Sequence, residues 1–211
     1  MLGPPGSGKG TQAALITQRC GIPTVSSGDA LRAEMEAGTQ LGSDARAYVE
    51  AGLLVPDDLV ISFVSRLIEE IDSDKGFLLD GFPRTTEQAE ALDDFLTEKG
   101  TRLDKVFYLR VPKKVLLERI AKRRACPECG VNYHISGRAP KEEGICDKCG
   151  THLVVRRDDV PDTAERRIDV YNELTNPLVD YYTSRGILAE IDGTADVDTQ
   201  HSQIVAVIKA T

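Results

Sequence analysis

Gly3-Pro4-Pro5-Gly6-Ser7-Gly8-Lys9-Gly10-Thr11 is the stretch that decides the fold. Glycines let a backbone close into a concave nest whose N–H groups converge on phosphate oxygens. A helical pattern begins near Lys9, so a helix N-terminus adds its positive end to that nest. Lys9 then brings a full charge to the outer phosphates. The strict pattern has Ser or Thr directly after Lys; here Gly10 intervenes and the hydroxyl comes at Thr11. A random glycine-rich turn is the bland alternative, and the Gly-Lys-Gly-Thr ending before a helix disfavours it. Such a loop ordinarily follows a buried strand of about five residues, yet only Met1 and Leu2 precede Gly3. The first strand is therefore either clipped or unusually short.

Outward from the loop, strands and helices alternate. Short apolar runs predict strands over Ile22–Val25, Phe77–Asp80, Val106–Val111 and Ile187–Ile191. Helical periodicity predicts Lys9–Arg19, Asp57–Ile71, Thr86–Glu98, Lys113–Arg123, Thr163–Ser184 and Val197–Lys209. This is the order of a parallel sheet covered on both faces. Two segments interrupt it. Ser26–Val55 reads as two short helices, about Ala30–Ala37 and Leu41–Ala51, stopped by Gly38 and Gly52. Ala125–Arg157 reads as loop and holds four of the five cysteines.

Composition narrows the function. The 211 residues are 41% hydrophobic and 28% charged, which suits one globular core with small inserts. No apolar run approaches the roughly 18 residues of a membrane span, and no secretory leader is read at Met1, so cytoplasmic residence is expected. The net charge of −8 argues against nucleic-acid binding, which rests on neutralising many phosphates. Basic residues cluster nonetheless: Lys113, Lys114, Arg119, Lys122, Arg123 and Arg124, then Arg156, Arg157, Arg166 and Arg167. One such run alone would read as a solvated helix face. Two in an acidic chain point to a compact polyanion site.

A second constellation is Phe77-Leu78-Leu79-Asp80-Gly81-Phe82-Pro83-Arg84. An apolar strand ending in Asp lies where open α/β sheets bind ligands. Asp80 can hold water on a Mg²⁺ ion bridging phosphates, and Arg84 can fork onto a phosphate. A strand-end Asp capping the next helix is the alternative, and beside the glycine loop it is the weaker one. A third is Cys126-x₂-Cys129, sixteen residues, then Cys146-x₂-Cys149, each pair followed by glycine. That spacing is a zinc-site pattern, and a cytosolic chain disfavours disulfides. Cys20 reads as a buried spectator.

Together, the glycine loop, Ser26-Ser27-Gly28-Asp29, Asp80-Gly81-Phe82-Pro83-Arg84 and Arg156-Arg157-Asp158-Asp159 with Arg167 resemble adenylate kinase, in its long-lid, zinc-containing bacterial form. The match runs nearly the whole chain in order. The resemblance implies a P-loop nucleoside monophosphate kinase fold of α/β class, with a five-stranded parallel sheet and helices on both faces. It implies a core over 1–25, 56–121 and 160–211, a helical AMP-binding insert over 26–55, and a zinc-ribbon-like lid over 122–159. The implied reaction is MgATP plus AMP giving two ADP, reversibly, in a monomer.

By the same resemblance, Gly3 to Thr11 would hold ATP, with Lys9 on its β- and γ-phosphates and Arg119 on its adenine. Arg123, Arg156 and Arg167 would close over the transferring phosphoryl group. Arg32 and Arg84 would hold the AMP phosphate, with Arg156 and Arg167 reaching it and Gly81 beside it. Ser27 and Gln88 would meet the adenine of AMP, and Leu54 and Val55 would line that pocket. Asp29 and Asp80 would orient water on Mg²⁺; Cys126, Cys129, Cys146 and Cys149 would bind one structural Zn²⁺. Ser27 stands where many members carry Thr. These roles suit phosphoryl transfer, whose loose transition state needs positioning and fixed positive charge rather than a covalent nucleophile.

Three rivals remain. A relative acting on UMP, CMP or GMP would generally have a short lid without zinc. A zinc-ribbon nucleic-acid binder would show salt-dependent oligonucleotide binding, against the −8 charge. A P-loop ATPase would hydrolyse ATP without an acceptor nucleotide.

Overall fold

A computed structural model describes residues 1–71 and 76–210. In chain order the elements are α1 (Lys9–Cys20), β1 (Thr24–Ser26), α2 (Ser27–Ala37), α3 (Gln40–Ala51), α4 (Asp57–Glu69), β2 (Leu78–Asp80) and α5 (Thr86–Glu98). There follow β3 (Val106–Arg110), α6 (Lys113–Ala121), β4 (Arg123–Ala125), β5 (Asn132–His134), α7 (Pro161–Val170), α8 (Pro177–Ser184), β6 (Leu188–Asp192) and α9 (Val197–Ala210). The expected alternation is present, with boundaries moved by a residue or two.

β1 pairs with β2 and β3 with β6, both parallel. Met1 and Leu2 join the two pairs. The Leu2 N–H donates to Phe107 O at 2.8 Å and its carbonyl accepts from Leu109 N at 3.0 Å. On the other side the Met1 amine donates to Leu79 O at 2.6 Å. The order is thus β1, β2, residues 1–2, β3, β6. The innermost position holds a single bridge where the resemblance implied a fifth strand.

Alternation along β3 divides the core. Phe107 and Leu109 pack with Ile16 of α1 and Ile204 of α9 on one face. Val106 packs with Ala89 of α5 and with Leu178 and Tyr182 of α8 on the other. Both faces of the sheet are covered, so its strands carry near-continuous apolar runs. The sheet's C-terminal edge, where β2 ends at Asp80 and β1 at Ser26, is left for the site.

The first insert is helical as expected, each helix beginning on a hydroxyl cap. Ser26 Oγ accepts from Asp29 N, and Thr39 Oγ1 from Gly42 N. Gly38 and Gly52 end the helices at φ 68° and 74°, a left-handed turn that costs glycine little.

Four expectations are corrected. The helix foreseen over 163–184 is broken by a π-helical turn at Tyr171–Thr175, where Asn176 N donates to Tyr171 O at 2.9 Å. Pro177 lacks the N–H that would continue the ordinary ladder, so the turn widens ahead of it. The helix foreseen to Arg123 stops at Ala121, and Arg123 opens β4. The cysteine segment is not all loop: β4 and β5 pair antiparallel, and Ala125 bridges to Val154. Cys20 is exposed rather than buried.

Candidate active site

The glycine loop lies against α6. Gly6, at φ 81°, runs so close that a Cβ there would meet Ile120 Cγ1 at 2.9 Å and Leu116 O at 3.0 Å. Only glycine fits both the turn and the approach. Gly8 supplies the N-cap of α1 without a side-chain bond, so the first N–H groups of the helix face the loop uncapped. Lys9 folds back and donates to Gly3 O at 2.6 Å and Pro4 O at 3.1 Å. Enclosure of this ammonium lowers its pKa to about 8 from 10.5; Asp80 opposes the drop, while Arg84, Arg167 and Arg123 add to it. Asp80 is buried, and its Oδ1 has no hydrogen-bond partner among the described residues. A Cβ at Gly10 would stand 3.4 Å from the other carboxylate oxygen, so the carboxylate faces the loop.

The arginines of distant segments converge beyond that loop. Arg123 grips Asp159 with Nε 2.7 Å from Oδ2 and with Nη2 on Oδ1. Arg167 Nη1 lies 3.1 Å from Asp159 Oδ1 and 2.9 Å from Asp158 Oδ2. Arg156 donates to Asn132 Oδ1 at 2.8 Å and to Asp29 Oδ1 at 3.3 Å. Arg32 bonds the same Asp29 oxygen and stands 3.9 Å from Asp158 Oδ2. Arg84 donates from Nε to Gly81 O at 2.7 Å.

Electrostatic strain is visible in the group. Burial lowers Arg84 to about 10, with Arg167 and Arg32 adding to the fall. Burial, Arg32 and Arg123 likewise lower Arg156 to about 10. Burial alone would raise Asp158, but Arg167, Arg32 and Arg156 outweigh it and hold the carboxyl below its usual range. Burial would raise Asp29 too, and Arg32 and Arg156 reverse that. Guanidinium groups crowded with so few carboxylates favour an anionic guest.

A cavity of about 120 Å³ opens among these groups. Gly3, Pro5 and Lys9 border it from the loop, and Ser27, Arg32, Leu54 and Val55 from the first insert and the turn after it. Gly81, Arg84, Gln88 and Arg167 complete its polar wall. Arg119 does not border the cavity; its Nη1 lies 3.4 Å from Ser7 O. The structure therefore brings Lys9, Ser27, Arg32, Leu54, Val55, Gly81, Arg84, Gln88 and Arg167 to one cavity, sets Arg123, Arg156 and Asp29 in the ion-pair cluster, and keeps Arg119 on the loop.

The second insert carries the sulphur cluster. The Sγ atoms of Cys126, Cys129, Cys146 and Cys149 all lie within 4.8 Å of one another. A tetrahedral zinc with Zn–S of 2.3 Å asks for S···S of about 3.8 Å. Gly130 N donates to Cys126 O and Gly150 N to Cys146 O, closing matching turns.

Sequence reasoning gave no role to Asp158 and Asp159, which are buried and hold three of the arginines. Their adjacency to Arg156-Arg157 was the available signal. Val170 at the end of α7 and Tyr171 and Thr175 of the π-helical turn also border the cavity.

Comparison with known proteins agrees with this geometry. The sequence model of the adenylate kinase family matches residues 1–187. The chain belongs to the adenylate kinase family. It is 52% identical to an adenylate kinase of Moorella thermoacetica, over 92% of this chain and 89% of the relative. It is 46% identical to that of Clostridium tetani, over 100% and 97%, and 46% to that of Archaeoglobus fulgidus, over 99% and 96%. The chain is accordingly a nucleoside monophosphate kinase, moving the terminal phosphoryl group of ATP to AMP and giving two ADP, reversibly.

Proposed function

We propose that the loop from Gly3 to Thr11 with Arg119 takes MgATP, and that the cavity between Arg32 and Arg84 takes AMP. The observation that carries this reading is the convergence of Arg32, Arg123, Arg156 and Arg167 on a few carboxylates, with Arg84 held on Gly81 O beside them and Lys9 close by. Asp29, Asp158 and Asp159 occupy guanidinium forks that phosphates would otherwise fill. On binding, phosphate oxygens take over part of that pairing. The arginines then neutralise charge spreading over the transferring group, without reorganising at the moment of reaction.

The residues suit both expected metals. Asp80 offers a buried carboxylate oxygen without a partner among the described residues, beside the phosphate loop, which fits a Mg²⁺ ion held through water. Asp29 would share that task after exchanging Arg32 and Arg156 for substrate. Mg²⁺ would supply charge neutralisation at the β- and γ-phosphates. The four cysteines would hold one Zn²⁺ with a closed shell, a structural site. We further infer that residues 26–55 act as the AMP-binding insert and 122–159 as a lid that excludes water. A cytoplasmic monomer completes the reading, the four unpaired sulphurs of the cluster suiting a reducing compartment.

A coupled assay of ADP formation with AMP, UMP, CMP and GMP as acceptors tests the reading. AMP should be used best. Preference for another monophosphate, or ATP hydrolysis with no acceptor, would overturn it.

A further inference from the structure

Gln88 is 1% exposed, and its amide is held at both ends. Its Oε1 accepts from the Arg84 N–H at 2.8 Å, and its Nε2 donates to Asp57 Oδ1 at 2.6 Å. Asp57 is fixed in turn, since its Oδ2 accepts from Thr85 Oγ1 at 2.8 Å. Thr85 Oγ1 itself accepts from Gln88 N at 3.1 Å, which leaves its one proton for Asp57.

Each partner of the amide has a single hydrogen-bonding sense. A backbone N–H only donates, and an ionised carboxylate only accepts. Turning the amide over would set Nε2 against the Arg84 N–H and Oε1 against a carboxylate. Both contacts become repulsive, in a place closed to water. The amide therefore has one orientation. It keeps one N–H and one lone pair for the cavity that it borders.

That remaining pair, a donor and an acceptor in fixed order, matches one purine edge. Adenine presents an acceptor at N1 beside a donor at N6. Hypoxanthine and guanine present the reverse, a donor at N1 beside an acceptor at O6. A glutamine free to rotate would serve either base equally.

We propose that Asp57 is a specificity-determining positioning residue: by locking the Gln88 amide against the Arg84 N–H, it makes the acceptor site read 6-amino purines and reject 6-oxo purines. The proposal rests on the reading above that Gln88 meets the base of the acceptor nucleotide. Asp57 itself touches no substrate. Discrimination comes from the unpaired groups that a 6-oxo base would leave against a locked amide, the kind of mismatch that rejects strongly.

The test compares kcat/KM for AMP and for inosine monophosphate, which differs from AMP only at that edge. In Asp57→Asn the side chain can turn its own amide to suit a flipped Gln88, which leaves the Arg84 N–H as the one contact opposing the flip and so weakens the lock without abolishing it. The AMP preference should then narrow by about tenfold, chiefly through KM, with kcat on AMP little changed. Asp58→Asn removes a neighbouring charge from the same first turn of α4 and should leave the preference intact. Asp57→Ser, whose hydroxyl can donate or accept, gives a second reading if the Asn variant folds poorly.

Gln88→Met separates the two ideas. If it abolishes the preference while Asp57→Asn and Asp57→Ser retain it in full, the proposal fails and the placement of Gln88 stands. If Gln88→Met itself keeps the preference, Gln88 does not read the base, and both fail together.

Discussion

Arg157 Nη1 stands 3.2 Å from Glu50 Oε1, joining the end of the cysteine-bearing insert to α3. Arg156 with Asp29 and Arg32 with Asp158 cross the same gap, so the two inserts meet through ion pairs over the cavity. Arg157 is 81% exposed and Glu50 41%, and exposed pairs contribute only about 0.2–1 kcal/mol. Glu50→Ala should therefore reduce the closed population by no more than about fivefold. Raised salt should erase the difference. Fluorescence transfer between labels on the two inserts would show it. A loss of closure that persists in high salt would mean that Glu50 acts through packing instead.

Lys9 gives a pH dependence with a definite sign. Its pKa is about 8 in the folded protein against an ordinary 10.5. Between those values the unfolded chain binds the extra proton, so this group makes stability rise with pH across the window. Below about 8 the charge is buried at full cost. Nucleotide binding runs the other way, because a polyphosphate wants the ammonium. Affinity for ATP should be best below pH about 8 and weaken above it, by at most about tenfold per pH unit. Calorimetric titration of Lys9→Met should find weak binding that is flat over the same range, and phosphoryl transfer lost by far more than the tenfold that 1.4 kcal/mol represents. An unchanged alkaline slope in Lys9→Met would remove Lys9 as its source.

Arg84 and Arg119 should separate the two nucleotides. Arg84 borders the cavity, held on Gly81 O, whereas Arg119 lies against Ser7 O on the loop. Charge-assisted hydrogen bonds contribute about 1.5–3 kcal/mol. Arg84→Ala should thus raise the KM for AMP by about ten- to a hundredfold and change that for ATP much less. Arg119→Ala should do the reverse. Steady-state kinetics with each substrate varied in turn decides it. An Arg84→Ala enzyme impaired only towards ATP would exchange the two sites.

What was legible in the sequence was local. The glycine loop, the strand ending at Asp80 and the paired cysteines are contiguous patterns, and each sits where it was read. The alternation of strands and helices gave the layered sheet because its apolar runs bury both faces. What escaped depended on contacts between segments. Asp57 meets Gln88 across 31 residues only because α4 and α5 lie side by side. Asp159 takes up Arg123 across 36 residues when the second insert folds back. The hairpin of that insert was hidden too, its strands being three residues each, too short for a period to show.

The sulphur cluster yields the last prediction. Cys126 and Cys146 are buried with Tyr133, and Val131 and Leu153 are the larger side chains that flank them. That is little apolar surface for a segment of this length, so a metal bound at the four sulphurs would supply much of its folding free energy. The Tyr133 hydroxyl accepts from Asp147 N at 2.8 Å and lies 3.5 Å from Cys146 Sγ. It can therefore donate its proton to a thiolate, the outer support that metal ligands commonly have. A zinc held by all four sulphurs would have a complete tetrahedral shell with no position for water or substrate, and would not serve as the Lewis acid of the reaction. Purified protein should contain one zinc per chain. Cys129→Ser, or chelation in mild denaturant, should lower the melting temperature by several degrees or more. Phosphoryl transfer at low temperature should survive in part, because Arg123, Arg156 and Arg167 can still be carried over the phosphates by a looser segment. Atomic absorption, calorimetry and the coupled assay together test this. A zinc-free protein that melts with the holoprotein would deny the structural role. Activity lost outright while the segment remains folded would give the metal a part in the chemistry.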